Sequence, residues 1–195
     1  MTLYLIRHGL AAAGLADLDP GLAELGHAQA AATAEALAGL EPARLIVSPL
    51  QRTRETAAPL AATFGLEPEI RREIAEVFDP SVPPEERQAI IGPFMEGRWS
   101  EQPETLRAWR MKVMETLEGF GGGGGVVVVS HYIAICAAIG EATGDDRVVP
   151  VKLANTSITT LEVEDGALAL SKAGAIDHLA PEQVTGIATA VPGGP

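Results

Sequence analysis

Three short apolar runs, each ending abruptly in polar residues, organise this chain. Residues 2–6 are apolar and β-rich and stop at Arg7-His8-Gly9; residues 44–47 end in Ser48-Pro49-Leu50-Gln51-Arg52; residues 126–129, four valines, end in Ser130-His131. Such runs predict buried strands that deliver polar side chains to their carboxyl ends. Between them the pattern turns helical. Leu22, Leu25, Ala28, Gln29, Ala32 and Leu37 share a helical face, with Asp19 as the predicted N-cap and Pro20 at the first helical position. Ser48 and Gln51 have capping-box spacing, so a second helix should run to about Phe64. Residues 67–74 are ambiguous, helices are predicted over 84–91 and 103–117, and residues 131–143 read as a helix apolar on every face, hence buried. A hairpin is expected from 156–164 and 167–172 around Asp165-Gly166, a favoured two-residue turn. Alternating strands and helices predict a three-layer α/β fold.

Length and composition narrow this. The chain has 195 residues, 47% of them apolar, enough for one sizeable domain over 1–195. Aromatics are 4%, so the core must come from Ala, Leu, Val and Ile. Residues about 74–104 include a Pro-rich stretch and read as an insertion over the site; about 191–195 read as a frayed tail. The glycine run 121–125 precedes a strand and lacks a following Gly-Lys-Ser/Thr, so it reads as a connector rather than a phosphate cradle. A net charge of −12 argues against nucleic acid and anionic membranes as partners. The N-terminus has no secretory pattern, no apolar stretch is long enough to span a membrane, and Cys136 stands alone, so a cytoplasmic location is expected.

In open α/β sheets, ligands bind at the carboxyl ends of strands. Arg7 and Arg52 offer planar forks suited to phosphate oxygens. His8 can act as a nucleophile if neutral, and the nearby cations should keep it so. Gly9 allows a close backbone approach. His131 should donate to a phosphoryl oxygen. No His or carboxylate cluster has metal-ligand spacing, so neither metal nor cofactor is expected. His27 and Arg54 read as exposed, and Cys136 as buried and inert.

Arg7-His8-Gly9, Ser48-Pro-Leu-Gln-Arg52 and Ser130-His131 together resemble the histidine phosphatase superfamily, the phosphoglycerate-mutase-like family, from Leu3 to about Leu161. The resemblance implies an α/β/α sandwich with a mixed, mostly parallel central sheet. It also implies a metal-independent phosphomonoester hydrolase acting through phosphohistidine, with His8, Glu76 and His131 catalytic and Arg7, Gly9, Arg52 and His131 binding phosphate. The substrate would be a small phosphorylated metabolite or phosphoprotein, or phosphate ion as product. The family's proton donor lies early in the insertion. Ile74-Ala75-Glu76-Val77-Phe78 matches its pattern best, and Glu73 is the alternative. Many members carry an Asn near the position of Gly14 and a small residue at that of Tyr132. Two other readings stay open: a mutase-type phosphoryl transferase, and a non-catalytic phospho-ligand-binding protein. From 79 to 105 six acids face two bases, which disfavours the highly anionic substrate of a mutase.

Overall fold

The computed structural model describes residues 1–12, 17, 19–78, 84–120 and 123–187. The elements in chain order are β1 (Thr2–Arg7), α1 (Glu24–Ala36), β2 (Pro42–Val47), α2 (Gln51–Phe64), β3 (Glu69–Ile70), α3 (Pro84–Glu96), α4 (Glu104–Glu118), β4 (Gly125–Ser130), α5 (Tyr132–Thr143), β5 (Ile158–Glu164) and β6 (Ala167–Ala175). The six strands form one sheet in the order β3-β2-β4-β1-β5-β6. β3, β2, β4 and β1 pair in parallel; β5 and β6 continue the sheet antiparallel from β1. The fold is therefore the expected mixed, mostly parallel α/β sandwich.

Period-two alternation divides the core between the two faces of this sheet. Leu3, Leu5, Ile46, Val126 and Val128 pack with α4 and α5 on one face; Ile6, Leu45, Val47, Val127 and Val129 pack with α1 and α2 on the other. Every residue from Ile133 to Gly140 in α5 is buried, which explains its unbroken apolar sequence. Truncating one of them, such as Ile135→Ala, should cost about 2–5 kcal/mol. At the far end of the sheet, Asp165 and Gly166 both take positive φ, +50° and +82°, the mirror-image turn that Asp-Gly favours.

Two predicted caps do not form. The first helix starts at Glu24, not after Asp19, and Leu22 instead bridges to Ala11. The buried face of α1 is Gly26, Gln29, Ala30, Thr33 and Ala34, while Ala28 faces solvent. Asp19 reaches across to another helix: its Oδ1 accepts the Gln51 N–H at 2.9 Å. Ser48 does not cap α2, because its hydroxyl meets His131. The ambiguous stretch resolves into β3 and a short 3₁₀ turn, Arg72–Ile74. The helix in the insertion runs on to Glu96, five residues past Ile91. Among the described residues no helix is long and apolar enough to cross a membrane. The loop position at Gly14, part of the glycine run and the tail from 191 lie outside the described residues.

Candidate active site

Strand register assembles the site. In the parallel ladder Arg7 lies level with Ser130, and Val47 with Val129. The ladder continues one step past the strands: the His8 N–H donates to Ser130 O at 3.0 Å and the Ser48 N–H to Val129 O at 3.1 Å. Three neighbouring strands thus end at one edge and carry His8, His131 and Ser48 there together. The two imidazole rings lie 5.3 Å apart, centroid to centroid.

One contact of the His8 ring sets its tautomer. Nδ1 lies 2.8 Å from Gly9 O. A carbonyl only accepts, so Nδ1 carries the proton and Nε2 carries the lone pair. Onto that lone pair Arg52 points its Nε–H, at 3.3 Å. Burial, then Arg52, then Arg7 pull the His8 pKa down to about 3, leaving a neutral ring at physiological pH. The cations therefore act as anticipated, but desolvation is the larger cause. His131 is held well below its ordinary value by burial first, then by His8 and the arginines, so it too is neutral. Its Nε2 lies 2.7 Å from Ser48 Oγ, while its Nδ1 is buried with no hydrogen-bond partner among the described residues.

Arg52 sits in the first turn of α2, with Asp19 Oδ1 3.7 Å from its Nη1. The first amide of that helix, on Gln51, is already taken by Asp19, which leaves less of the helix N-terminus open to an anion. Arg7 is gripped from behind. Its Nη1 donates to Leu153 O at 2.6 Å, and its guanidinium lies over the Tyr132 ring, 4.8 Å from the centroid. Gly9 is small for a reason different from ligand approach. A Cβ there would lie 2.7 Å from Gly26 O, so the glycine admits the start of α1, and its N–H is engaged by Thr56 Oγ1 at 2.9 Å.

Glu76 follows the 3₁₀ turn whose Ile74 O accepts the Ser130 hydroxyl at 2.7 Å. Burial raises its pKa, opposed by the Val77 amide and then by Arg52 and Arg7. Its charge is in turn the leading stabiliser of the Arg7 cation against burial. The charge of Glu76 is felt by both Arg7 and Arg52, which is the reason to prefer it to Glu73 as the candidate. Arg54 and His27 are exposed as expected, and burial pushes the Cys136 thiol up to about 12.

Neither the pairing of Ser48 with His131 nor the bracing of the Arg7-His8 backbone by residues 155–156 has a local signal in the sequence. Asn155 Nδ2 donates to His8 O at 3.0 Å, and the Thr156 N–H donates to Arg7 O at 3.1 Å. Thr156 adopts φ +53° to do so, a conformation costing a β-branched residue roughly 1–3 kcal/mol. A cavity of about 330 Å³ opens beside Arg7 and Tyr132, walled by Met95, Glu96 and Lys152. A larger groove, about 710 Å³, runs along α2 by Arg54 and Ile70, and neither histidine lines it. The smaller cavity is lined by Arg7, though by neither His8 nor His131.

Similarity to known proteins fits this geometry. A phosphoserine phosphatase from Entamoeba histolytica, solved with 3-phosphoglyceric acid, superposes with a TM-score of 0.73 at 22% identity, covering 92% of this chain and 99% of that one. A phosphoglycerate mutase from Bacillus anthracis gives 0.67 at 21%, covering 91% and 94%. An uncharacterized protein of Mycobacterium tuberculosis, Rv0525, is 49% identical over 55 residues, so the match spans 28% of this chain and only 27% of that relative. The sequence model of the histidine phosphatase superfamily (branch 1) matches residues 3–175. With that match over most of its length, the chain belongs to the histidine phosphatase superfamily, branch 1.

Proposed function

We propose that this protein is a metal-independent phosphomonoester hydrolase working through phospho-His8. The observation that carries the reading is the state of His8: neutral, with Nδ1–H held on Gly9 O and Nε2 facing the Arg52 guanidinium. That is a nucleophile aimed at the place where a phosphoryl group would be clamped.

In the first step His8 Nε2 attacks phosphorus, the P–N bond forms and the P–O bond to the alcohol breaks. The Glu76 carboxyl, whose pKa is raised by burial, gives its proton to the departing oxygen. The bond from Nδ1–H to Gly9 O strengthens as the ring takes on positive charge. Arg7 and Arg52 hold the equatorial oxygens as charge shifts. The Ser48 hydroxyl donates to His131 Nε2, which leaves the proton on Nδ1 for a phosphoryl oxygen. In the second step water attacks phosphorus and passes a proton to Glu76. The P–N bond breaks, and orthophosphate and neutral His8 are released.

Hydrolysis is favoured over mutase transfer by the acidic insertion and by Glu96, which stands on the wall of the cavity beside Arg7. A bisphosphorylated compound would meet that carboxylate. The substrate is a small phosphorylated metabolite or a phosphoprotein. Rapid quench with ³²P-labelled substrate should trap phosphoenzyme that is acid-labile and base-stable. His8→Ala should abolish both the trapped species and turnover. Label on the His8→Ala protein, or near-normal turnover by it, would sink the proposal. Product analysis with 3-phosphoglycerate and its bisphosphate distinguishes hydrolase from mutase.

A further inference from the structure

The match to the superfamily ends at residue 175, yet the chain beyond it returns to the site. After a 3₁₀ turn at Pro181–Gln183, Thr185 meets Asn155 and Gly186 meets Arg7. Gln29, fully buried in α1, is the first anchor. Its Oε1 accepts the Leu10 N–H at 2.8 Å, and its Nε2 donates to Gln183 O at 2.6 Å and to Thr185 Oγ1 at 2.8 Å. Thr185 passes the link on, its hydroxyl donating to Asn155 Oδ1 at 3.1 Å and its carbonyl accepting the Asn155 N–H at 2.9 Å. Asn155 Nδ2 completes the chain on His8 O at 3.0 Å. One residue further, Gly186 O accepts from Arg7 Nη1 at 3.3 Å.

We propose that residues 183–186 are a working part of the phosphate site: Thr185 and Gly186 position the Arg7 guanidinium and the His8 backbone. The inference rests on the phosphate-binding role proposed for Arg7. Each polar atom along this route has its complement. The two Gln29 amide hydrogens go to two acceptors, and the Thr185 hydroxyl both accepts and donates. A network of this kind, buried at Gln29 and Asn155, favours one geometry over others. The guanidinium is held on its rear side by two carbonyls and on its face by Tyr132, which leaves its remaining edge to meet phosphate in one orientation. Thr185 and Gly186 are positioning residues, since they act through Arg7, His8 and Asn155.

Gly186 supplies the decisive test. It has φ +78°, and a Cβ there would lie 2.5 Å from Asn155 Oδ1 and 2.6 Å from Arg7 Nη1. The arginine tip is the movable neighbour, so Gly186→Ala should displace Arg7 and leave the fold in place. Gly166, in the β5–β6 turn, has φ +82° with nothing within 4 Å of its Cβ position, so Gly166→Ala imposes the same backbone strain away from the site. Gly186→Ala should weaken orthovanadate binding and lower kcat/KM by about tenfold or more, the loss expected for one misplaced charge-assisted hydrogen bond. Gly166→Ala should leave both within about twofold at an equal drop in Tm. If Gly186→Ala does not fold, Thr185→Val should show the loss and Thr185→Ser should restore it. The Arg7 side-chain ¹⁵N–¹H resonances give a readout independent of turnover: they should shift in Gly186→Ala and in Thr185→Val, and stay put in Gly166→Ala. Wild-type vanadate affinity and unmoved Arg7 resonances in Gly186→Ala and Thr185→Val overturn the proposal. A wild-type protein that neither binds vanadate nor cleaves phosphoesters overturns the phosphatase reading alone, and the Arg7 resonances then still decide this one.

Discussion

The candidate site has two sides, built in different ways. One side is the row of parallel strand ends, where β1, β4 and β2 bring His8, His131 and Ser48 level by ladder register. The other is assembled from segments outside those strands: Glu76 after a 3₁₀ turn, Asn155-Thr156 before β5, and Thr185-Gly186 near the C-terminus. The strand side is fixed by hydrophobic burial, so its side chains are placed by the same forces that fold the protein. The outer side is held by hydrogen bonds and one strained threonine, and reaches the site from positions far apart in the chain. Placement of His8, the proposed nucleophile, therefore comes from the core, while the proposed proton donor and the support of Arg7 come from the periphery.

The largest expected effect breaks the outer side and leaves the strand side whole. Glu76→Gln removes the proposed proton donor. For alkyl phosphates, whose alcohols leave poorly, kcat should fall by roughly 10²–10⁴-fold. For aryl phosphates the loss should be far smaller, because the leaving phenoxide needs little help. Glu73→Gln should behave like wild type. The reverse result, with Glu73→Gln showing the leaving-group dependence, would assign the acid to the other carboxylate.

The next effect strains the strand side through pH. His8 and His131 both have pKa values lowered in the folded protein, His8 to about 3. Between the ordinary histidine value of 6.5 and that lower limit, the unfolded chain binds protons that the native one refuses. Their contribution to stability is therefore whole above 6.5 and declines as the pH falls. The slope is about 1.4 kcal/mol per pH unit for each group. Urea titrations at pH 7, 6, 5 and 4 should trace this loss, and a double variant with both histidines replaced by Gln should lessen it. An unchanged slope in that variant would mean that other groups control the acid limb.

How much of this was legible in the sequence follows the same division. The strand ends could be read because burial of Leu3, Leu5, Val126–Val129 and Leu45–Val47 dictates short apolar runs, and the polar residues that interrupt them stand out. α5 could be read for the same reason. What could not be read was any pairing that crosses between distant polar residues. Ser48 and Gln51 have the spacing of a capping box, but tertiary structure gives the Ser48 hydroxyl a buried imidazole instead of a helix amide. Asp19 looks like a cap for the helix beginning next to it and caps α2. Gln29 fell on the predicted apolar face as an anomaly, and is buried because Leu10, Gln183 and Thr185 satisfy its amide. A polar residue inside an apolar helical stripe was the one available signal that a buried network existed.

A smaller effect tests whether the strand side depends on its own hydrogen bonds. Ser48→Ala removes the partner of His131 Nε2 inside a fully buried pair. The imidazole is then free to place its proton on either nitrogen. Loss of one buried hydrogen bond, with an unsatisfied partner left behind, is worth about 1–3 kcal/mol, or roughly a 5- to 150-fold drop in kcat. KM should change less, since the arginines still hold the phosphate. Side-chain ¹⁵N shifts of His131 should report mixed tautomers in this variant, and Ser48→Thr should restore both signals. Activity unchanged in Ser48→Ala would show that His131 keeps its tautomer without help.

The smallest effect returns to the meeting point of the two sides. Tyr132 stands at the start of α5, next to His131, and its ring lies under the Arg7 guanidinium at 4.8 Å. Its hydroxyl lies 3.5 Å from Val151 O and also meets the Leu153 backbone, while the ring is the part that touches Arg7. A cation over an aromatic face is worth about 0.5–2 kcal/mol, rising with desolvation, and Arg7 is largely shielded from water. Tyr132→Leu keeps apolar volume and removes the π face, so the arginine loses one support and keeps the carbonyls of Leu153 and Gly186. KM for phosphomonoesters and the Kd for orthovanadate should then rise roughly two- to tenfold, with kcat nearly unchanged, because Nε2 of His8 and the proton of Glu76 are untouched. Tyr132→Phe should match wild type. If Tyr132→Phe loses as much as Tyr132→Leu, the hydroxyl matters and the stacking account fails. If neither changes KM, the carbonyls alone orient Arg7, and the periphery governs that residue without help from the helix that follows His131.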